Sequence, residues 1–369
     1  MRIHVVSVPN TETTKDFEWD GFTARIRRFT TMLYSLGYDV RLYSGEANDT
    51  PCTEHIPIVT RAEQKEWFGH YDWSRDVFHD FDSNLPCYVT MNSRAAAEIR
   101  KRADPGDVVG LSFGISQKPI ADALPDSKLL FVETGIGYAG VWAPFRIFES
   151  HSWQHFLAAR EPIDDLRFFD TVIPGCFEID HFPEGKGDGG YYLFMGRISQ
   201  RKGPHIAALT CKNIGAKLIV AGQGVVGTNP ITTTDGLVLE GDVEYAGHVD
   251  AARRAELLGG AIAVFAPTIY LEPFGYVAPE AQMCGTPVIS TDWGAFTETV
   301  IQGVTGYRCR TLAEFIEAAK NVKRLDRKVI RKSAHERFST DVVKHKYDRY
   351  FRQLATLKDK GWYTVPESR

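Results

Sequence analysis

Residues 261–291 read AIAVFAPTIYLEPFGYVAPEAQMCGTPVIST. An apolar run, AIAVFAP, ends at Pro267 and is followed by a short loop that carries Glu272. PFG supplies a tight backbone turn, a helix is expected from Ala278 to Cys284, and the apolar run PVIST follows. Two buried strands joined by a helix of this length define a parallel βαβ unit. The same rhythm opens the chain. Ile3–Val8 is apolar, Gly21 begins an amphipathic stretch with Phe22, Ile26, Phe29, Leu33 and Leu36 at helical spacing, Gly37 closes it, and Asp39–Tyr43 is the next strand.

Further strands are expected at Asp107–Leu111, Lys128–Val132 and Thr171–Ile173. Residues 50–85 are expected to decorate the first domain without joining its sheet. The aromatic segment 138–168 is expected to form one or two helices. HFPEGKGDGG, residues 181–190, shifts to Gly, Pro and charge and reads as a linker. After it come strand YYLFMG, a helix through Ile206–Cys211, strand AKLIVAG, a polar loop with room for a hairpin, a strand near Tyr245 and a helix over 251–258. The expected architecture is therefore α/β, with two Rossmann-like domains facing across a cleft. Residues 1–180 form the acceptor-side domain and 181–341 the donor domain, while 342–369 make a C-terminal helix and tail crossing back to the first.

The chain has 369 residues, 43% of them hydrophobic, and a net charge of −4. No basic block marks a nucleic-acid tail and no acidic block marks disorder. The MRIHVVSVPN start reads as a strand and not as a signal peptide, and no stretch approaches the roughly 20 apolar residues of a membrane span. The six cysteines form no CxxC pair. A reducing, cytoplasmic setting without stable membrane insertion is expected.

Glu272 and Glu280 lie eight positions apart, one in a loop and one in the first turns of a helix, so both can face one ligand. Carboxylate oxygens accept hydrogen bonds from vicinal hydroxyls of a sugar or a ribose. Alone, such a pair is two solvated carboxylates drawn to a helix start by its dipole. PFG between them and GTPV after them shift the reading to a ligand site. The amides of Phe274, Gly275 and Tyr276 would cradle an anion or a hydroxyl. In MGRISQRKGP, Gly196 permits a close turn after a strand, and Arg197 and Lys202 suit a diphosphate.

Together these stretches resemble the retaining GT-B glycosyltransferases of family four, whose E-x7-E signature here is Glu272, PFGYVAP, Glu280. AGQG, with Gly222, and YAGHV, with Gly247, are similar to further donor loops of that family. The resemblance implies that Glu280 binds the ribose and that Glu272 holds the donor sugar with Phe274 and Gly275. Arg197 and Lys202 would hold the diphosphate of a UDP- or GDP-sugar. It also implies same-face attack with the leaving phosphate as base, and no required cofactor or metal. Gly21 would stand at the N-terminal loop that meets the phosphates and the acceptor. Two positions depart from the family: Asp20-Gly21 replaces a double Gly, and Glu133, in VETGIGY, takes the place of a His near the donor sugar. Gly135 and Gly137 are candidates beside it.

Asp80-Phe81-Asp82 lacks the strand context of a metal-binding DxD. His4, His151, His155 and His248 read as structural, and the aromatics of 138–153 as core. A nucleotide-sugar binder or a nucleotide-sugar epimerase of the same fold is the alternative function. The acceptor is open among lipid, metabolite, polysaccharide, protein and modified DNA. A lipid is disfavoured because no basic amphipathic helix is present. The short N-terminal region also resembles bacteriophage glycosyltransferases, which implies modified DNA or a virion protein as acceptor.

Overall fold

The computed structural model describes residues 1–73, 76, 78, 80–161, 167–358 and 362–363. Residues 162–166 of the aromatic segment, and 359–361 and 364–369 of the C-terminal tail, lie outside the described residues.

The first domain runs β1 (Arg2–Val6), α1 (Gly21–Ser35), β2 (Asp39–Gly45), β3 (Glu54–Val59), α2 (Arg61–Phe68), α3 (Pro86–Arg102), β4 (Val108–Leu111), α4 (Lys118–Asp122), β5 (Leu130–Ile136), β6 (Phe145–Phe148), α5 (His151–Arg160) and β7 (Asp170–Val172). Its strands lie in the order β3-β2-β1-β4-β5-β6-β7 and every pairing is parallel. Strand β1 is buried from Ile3 to Val6, and β4 along its whole length. Unbroken apolar runs of this kind belong to sheets covered on both faces.

The second domain follows with β8 (Tyr191–Met195), α6 (Pro204–Ile214), β9 (Lys217–Ala221), the hairpin β10 (Val225–Thr228) and β11 (Ile231–Thr233), β12 (Val243–Tyr245), α7 (Ala251–Gly260), β13 (Val264–Ala266), α8 (Val277–Met283), β14 (Val288–Thr291), α9 (Phe296–Thr299), β15 (Gly306–Cys309), α10 (Leu312–Asn321), α11 (Arg327–Phe338) and α12 (Thr340–Leu354). Its sheet order is β12-β9-β8-β13-β14-β15. Counted within the domain this is 3-2-1-4-5-6, the order of the first six strands of the other sheet. In both, the order reverses beside the first strand, and ligands of such sheets sit in the crevice that the reversal opens at the strands' carboxyl ends.

The chain crosses between domains twice, and the crossings are stitched together. Phe177 N–H donates to Phe338 O at 2.9 Å and Thr340 N–H to Phe177 O at 3.0 Å. Helix α12 then packs its Val343, Tyr347, Phe351 and Leu354 into the first domain's core. Tyr38 Oη donates to Asp348 at 2.7 Å and Tyr350 Oη to Phe169 O at 2.7 Å.

Three expectations change. Residues 50–85 do not merely decorate the domain, because Glu54–Val59 pairs with β2 as the edge of the sheet. Pro57 at an edge position is compatible with that pairing, and the capping box Thr60/Glu63 starts α2 directly after it. The aromatic segment is not all helix: Phe145–Phe148 is a fully buried strand before α5, a run too short for periodicity to distinguish strand from helix. Helix α3 begins with Pro86, in a stretch for which the sequence predicts no element.

Candidate active site

The carboxyl-end loops of both sheets meet in one cleft of about 1640 Å³, lined by Trp19, Gly21, Arg25 and Glu149 on one side and Gly196, Lys202, Glu272 and Glu280 on the other. A volume above the ~300–1,000 Å³ of single-ligand pockets leaves room for two substrates.

Three loops of the second sheet are layered through bare backbone. Gly196, after β8, has φ +137°, and Gly222, after β9, has φ +135°. A Cβ on Gly222 would run into the carbonyl of Gly196. Gly222 N–H donates to Gly247 O at 2.8 Å, and Gly196 N–H to Ala221 O at 3.0 Å. Gly196 lines the cleft, whereas Gly222 and Gly247 shape its floor from behind.

Glu272 follows β13 and is 8% exposed. Its backbone is clasped by the turn after β14: Ala295 N–H donates to Glu272 O at 3.0 Å, and Gly294, at φ +58°, leaves the space that brings this about. Lys202 Nζ lies 2.6 Å from Glu272 Oε2. Burial pulls the Lys202 ammonium down, but Glu272 and the neighbouring Tyr270 more than offset it, and its pKa ends above the ordinary lysine value. Arg197 stands exposed at the lip of the cleft.

Phe274, beside the cleft, is 2% exposed, and its ring packs into the core of the second domain against Phe338, which anchors the loop. The amides of Phe274, Gly275 and Tyr276 donate to no group among the described residues. Gly275 has φ +73°, and a side chain there would strike the Phe296 ring. Glu280, in the first turn of α8, is 6% exposed and receives Arg254 Nη1 at 3.2 Å. Arg254 comes from α7, whose N-cap is Asp250. In the sequence Arg254 gives one signal only, its place in the first turns of the helix after YAGHV.

On the opposite wall, Gly21 is exposed at the start of α1, and Asp20 is the N-cap, accepting from Thr23 N–H at 2.8 Å. That contact explains the Asp-Gly pair. Glu133 does not face the cleft. It is fully buried, and its carboxylate accepts from Trp142 N–H at 2.9 Å, Ala143 N–H at 2.8 Å and Tyr138 Oη at 3.3 Å. Its role is to fold the loop after β5. A buried carboxylate that does reach the cleft from this wall is Glu149, missed in the sequence because it follows an apolar strand. Gly135 and Gly137 lie beside the site as clearance: a Cβ on the first would stand 2.9 Å from Arg25 Cδ, and on the second 2.7 Å from Glu149 Oε2. His248, read as structural, also lines the cleft, edge-on to Trp19 at 6.3 Å. Burial, with Arg254 nearby, lowers its pKa.

Among the described residues no group of three or more His, Cys, Asp or Glu is placed to hold a metal ion, and no helix is long and apolar enough to cross a membrane. The six cysteines are free thiols.

Two doubly wound domains with a ligand crevice between their carboxyl ends define the GT-B class of fold. Solved structures of that class cover nearly all of the chain. Sucrose-phosphate synthase from Thermosynechococcus elongatus aligns with a TM-score of 0.66 at 17% identity, over 96% of this chain and 99% of that one. The Anabaena protein HepE, solved in complex with UDP-glucose, aligns with a TM-score of 0.64 at 16% identity, over 95% and 99%. Residues 177–335 match the family model for glycosyl transferases group 1. Glycogen synthase of Mycobacterium tuberculosis is 33% identical over 144 residues, 35% of this chain and 33% of that protein. D-inositol 3-phosphate glycosyltransferase of Mycobacterium avium is 37% identical over 156 residues, 37% and 36% of the two chains. The chain spans about a third of the length of these curated relatives.

Proposed function

We propose that the chain is a retaining glycosyltransferase of the family-four type, moving a sugar from a UDP- or GDP-sugar to a hydroxyl acceptor. The observation that carries this reading is the pairing of Lys202 with Glu272 beside the pairing of Arg254 with Glu280, all on the crevice wall of the group 1 domain. In this reading Glu280 takes the ribose hydroxyls, Glu272 and the free amides of residues 274–276 take the sugar, and Arg197 and Lys202 take the diphosphate. The acceptor oxygen bonds to the anomeric carbon on the face that the phosphate leaves. The carbon–phosphate oxygen bond breaks, and the acceptor proton passes to the departing diphosphate. Arg197 and Lys202 stabilise the charge that develops on it. No protein nucleophile, metal or other cofactor is needed for this balance.

The acceptor wall weighs against a polyanion. Lys15, Arg25 and Arg28 face Asp16, Glu18, Asp20 and Glu149 there. Nucleic-acid binding draws its affinity from neutralised phosphates, which requires an excess of cations. A neutral or weakly charged hydroxyl compound suits the wall better than modified DNA.

A melting-temperature screen of UDP, GDP and their sugars tests the donor site, since a ligand of the native state adds RT ln(1 + [L]/Kd) to stability. A rise with one nucleotide family is expected, followed by acceptor-dependent release of nucleoside diphosphate. Donor conversion without any acceptor would instead favour the epimerase, and binding without turnover the silent binder.

A further inference from the structure

Glu149 has no part in the donor machinery described above, yet it is built into the cleft from three directions. It follows β6 and is 5% exposed. Its Oε1 accepts from the Tyr276 hydroxyl, across the seam between domains, and Arg25 Nη1 stands 3.8 Å from the same oxygen. The next residue reinforces that seam, as Ser150 Oγ donates to Pro273 O at 2.6 Å. On the far side of the seam, bare Gly175 leaves room for the Phe274 and Tyr276 rings, each 2.8 Å from where its Cβ would stand.

The other oxygen is differently placed. Oε2 accepts no hydrogen bond from the described residues. It lies in the slot that Gly137 leaves open; a Cβ at Gly137 would stand 2.7 Å from Oε2 and 3.3 Å from Pro273 Cβ. Pro273 begins the very loop assigned to the sugar. Glu272, on the other wall, is near enough to act on Glu149 electrostatically. Two carboxylates, one from each domain, thus face one space beside PFG. Arg25, Arg28 and Lys202 offset their charge. A ligand that brings hydroxyl donors between them satisfies both.

Resting on the nucleotide-sugar reading, we infer that Glu149 is a specificity-determining residue for the donor sugar. Its Oε2 accepts a hydrogen bond from one hydroxyl of the transferred sugar, from the N-terminal wall, while Glu272 holds the sugar from the C-terminal wall. Tyr276 and Arg25 orient the carboxylate. A site built to bond a hydroxyl rejects the analogue that lacks it, because the carboxylate is then left unpaired.

The test uses calorimetric titration of the full chain with UDP, GDP, UDP-glucose, GDP-mannose and the monodeoxy forms of whichever sugar nucleotide binds. Glu149→Gln keeps an amide oxygen for the Tyr276 hydroxyl, so the seam bond survives. This variant is expected to bind the nucleoside diphosphate within about twofold of wild type and the sugar nucleotide about tenfold more weakly. One monodeoxy donor is expected to lose about tenfold on wild type and nothing further on Glu149→Gln, the non-additivity that marks a direct contact. Tyr276→Phe removes the seam bond, leaves Oε2 in place and should retain discrimination against that deoxy donor. Equal losses for nucleoside diphosphate and sugar nucleotide in Glu149→Gln, or additive losses for every deoxy donor, would reduce Glu149 to a brace between domains and overturn the inference. Unchanged sugar-nucleotide binding by Glu149→Gln overturns it while leaving the donor reading intact. Failure of wild type to bind any of these nucleotides removes the donor reading first, and this one with it.

Discussion

Lys202 Nζ and Glu272 Oε2 are 2.6 Å apart, although 70 residues separate them in the chain. One hangs from the loop after the first strand of the second domain's sheet and the other from the loop after its fourth. Adjacent strands β8 and β13 bring those loops together. The pair holds both groups in place, and each charge relieves the other of part of the cost of burial.

Glu272→Gln is therefore expected to leave free nucleoside diphosphate binding within about twofold of wild type, because Lys202 is released toward the phosphate. Turnover of the sugar nucleotide should fall by about 10²-fold, a loss of one preorganised charged contact at the transition state. Calorimetry and nucleotide-release kinetics on the same protein check both halves. Equal losses on the two ligands would show that Glu272 serves the nucleotide and not the sugar.

Glu280 pairs with Arg254 at 3.2 Å and not with Lys202, so its role separates from that of Glu272. Glu280→Gln should weaken nucleoside diphosphate and sugar nucleotide alike, by about tenfold each, as expected for loss of a charged hydrogen bond to the ribose. Arg254→Ala frees the Glu280 carboxylate from its orienting partner and should give a smaller loss with the same pattern. Titration with the free nucleoside diphosphate reads both, and a variant that lost only the sugar nucleotide would contradict the division of labour.

The second domain's half of the candidate site was legible as a cluster of elements because it is local. Strand, Glu-bearing loop, glycine turn and helix follow one another within 261–291, and local periodicity reports such a unit directly. The same holds for Gly196, Arg197 and Lys202 after YYLFM. What escaped was set by tertiary contact. Glu133 and Glu149 both end strand-like runs, and nothing in either run tells which carboxylate turns into its own loop and which into the cleft. The bonds to Trp142 and Ala143 decide the first, and Tyr276, 127 residues away, decides the second. Strand β3 escaped because an edge strand bearing Glu54, His55 and Pro57 looks polar in sequence.

His4 makes stability depend on pH in a defined window. It is fully buried, with Nδ1 2.8 Å from Tyr43 Oη and Nε2 3.6 Å from Asp107. Burial lowers its pKa from 6.5 to about 4, against the pull of Asp107. A histidine depressed in the native state is protonated first in the unfolded chain. Its contribution is thus whole above about pH 6.5 and is lost as pH falls toward 4, up to about 3 kcal/mol. Urea unfolding at pH 7 and pH 4.5 should show a larger drop for wild type than for His4→Gln. Parallel drops would mean that His4 is not the group responsible.

Gly222 tests whether close layering of bare backbone shapes the Gly196 loop. It lines no part of the cleft, its carbonyl accepts from the Tyr245 hydroxyl at 2.9 Å, and it lies behind Gly196, which does line the cleft. Gly222→Ala places a Cβ against the Gly196 carbonyl in a backbone conformation, φ +135°, that L residues rarely adopt. The strain and the clash together should cost about 2–4 kcal/mol of stability. Part of that cost can be relieved by lifting the Gly196 loop, which carries Arg197 and Lys202. The variant is therefore expected to lower the unfolding midpoint and also to weaken nucleoside diphosphate binding about tenfold while folded. A control at Gly236, whose φ is +81° and where a Cβ meets no atom within 4 Å, shares the backbone penalty without the clash. Gly236→Ala should lower stability and leave nucleotide affinity unchanged. If both variants bound nucleotide like wild type, the layering of Gly196, Gly222 and Gly247 would serve folding only, and the phosphate loop would take its shape from elsewhere.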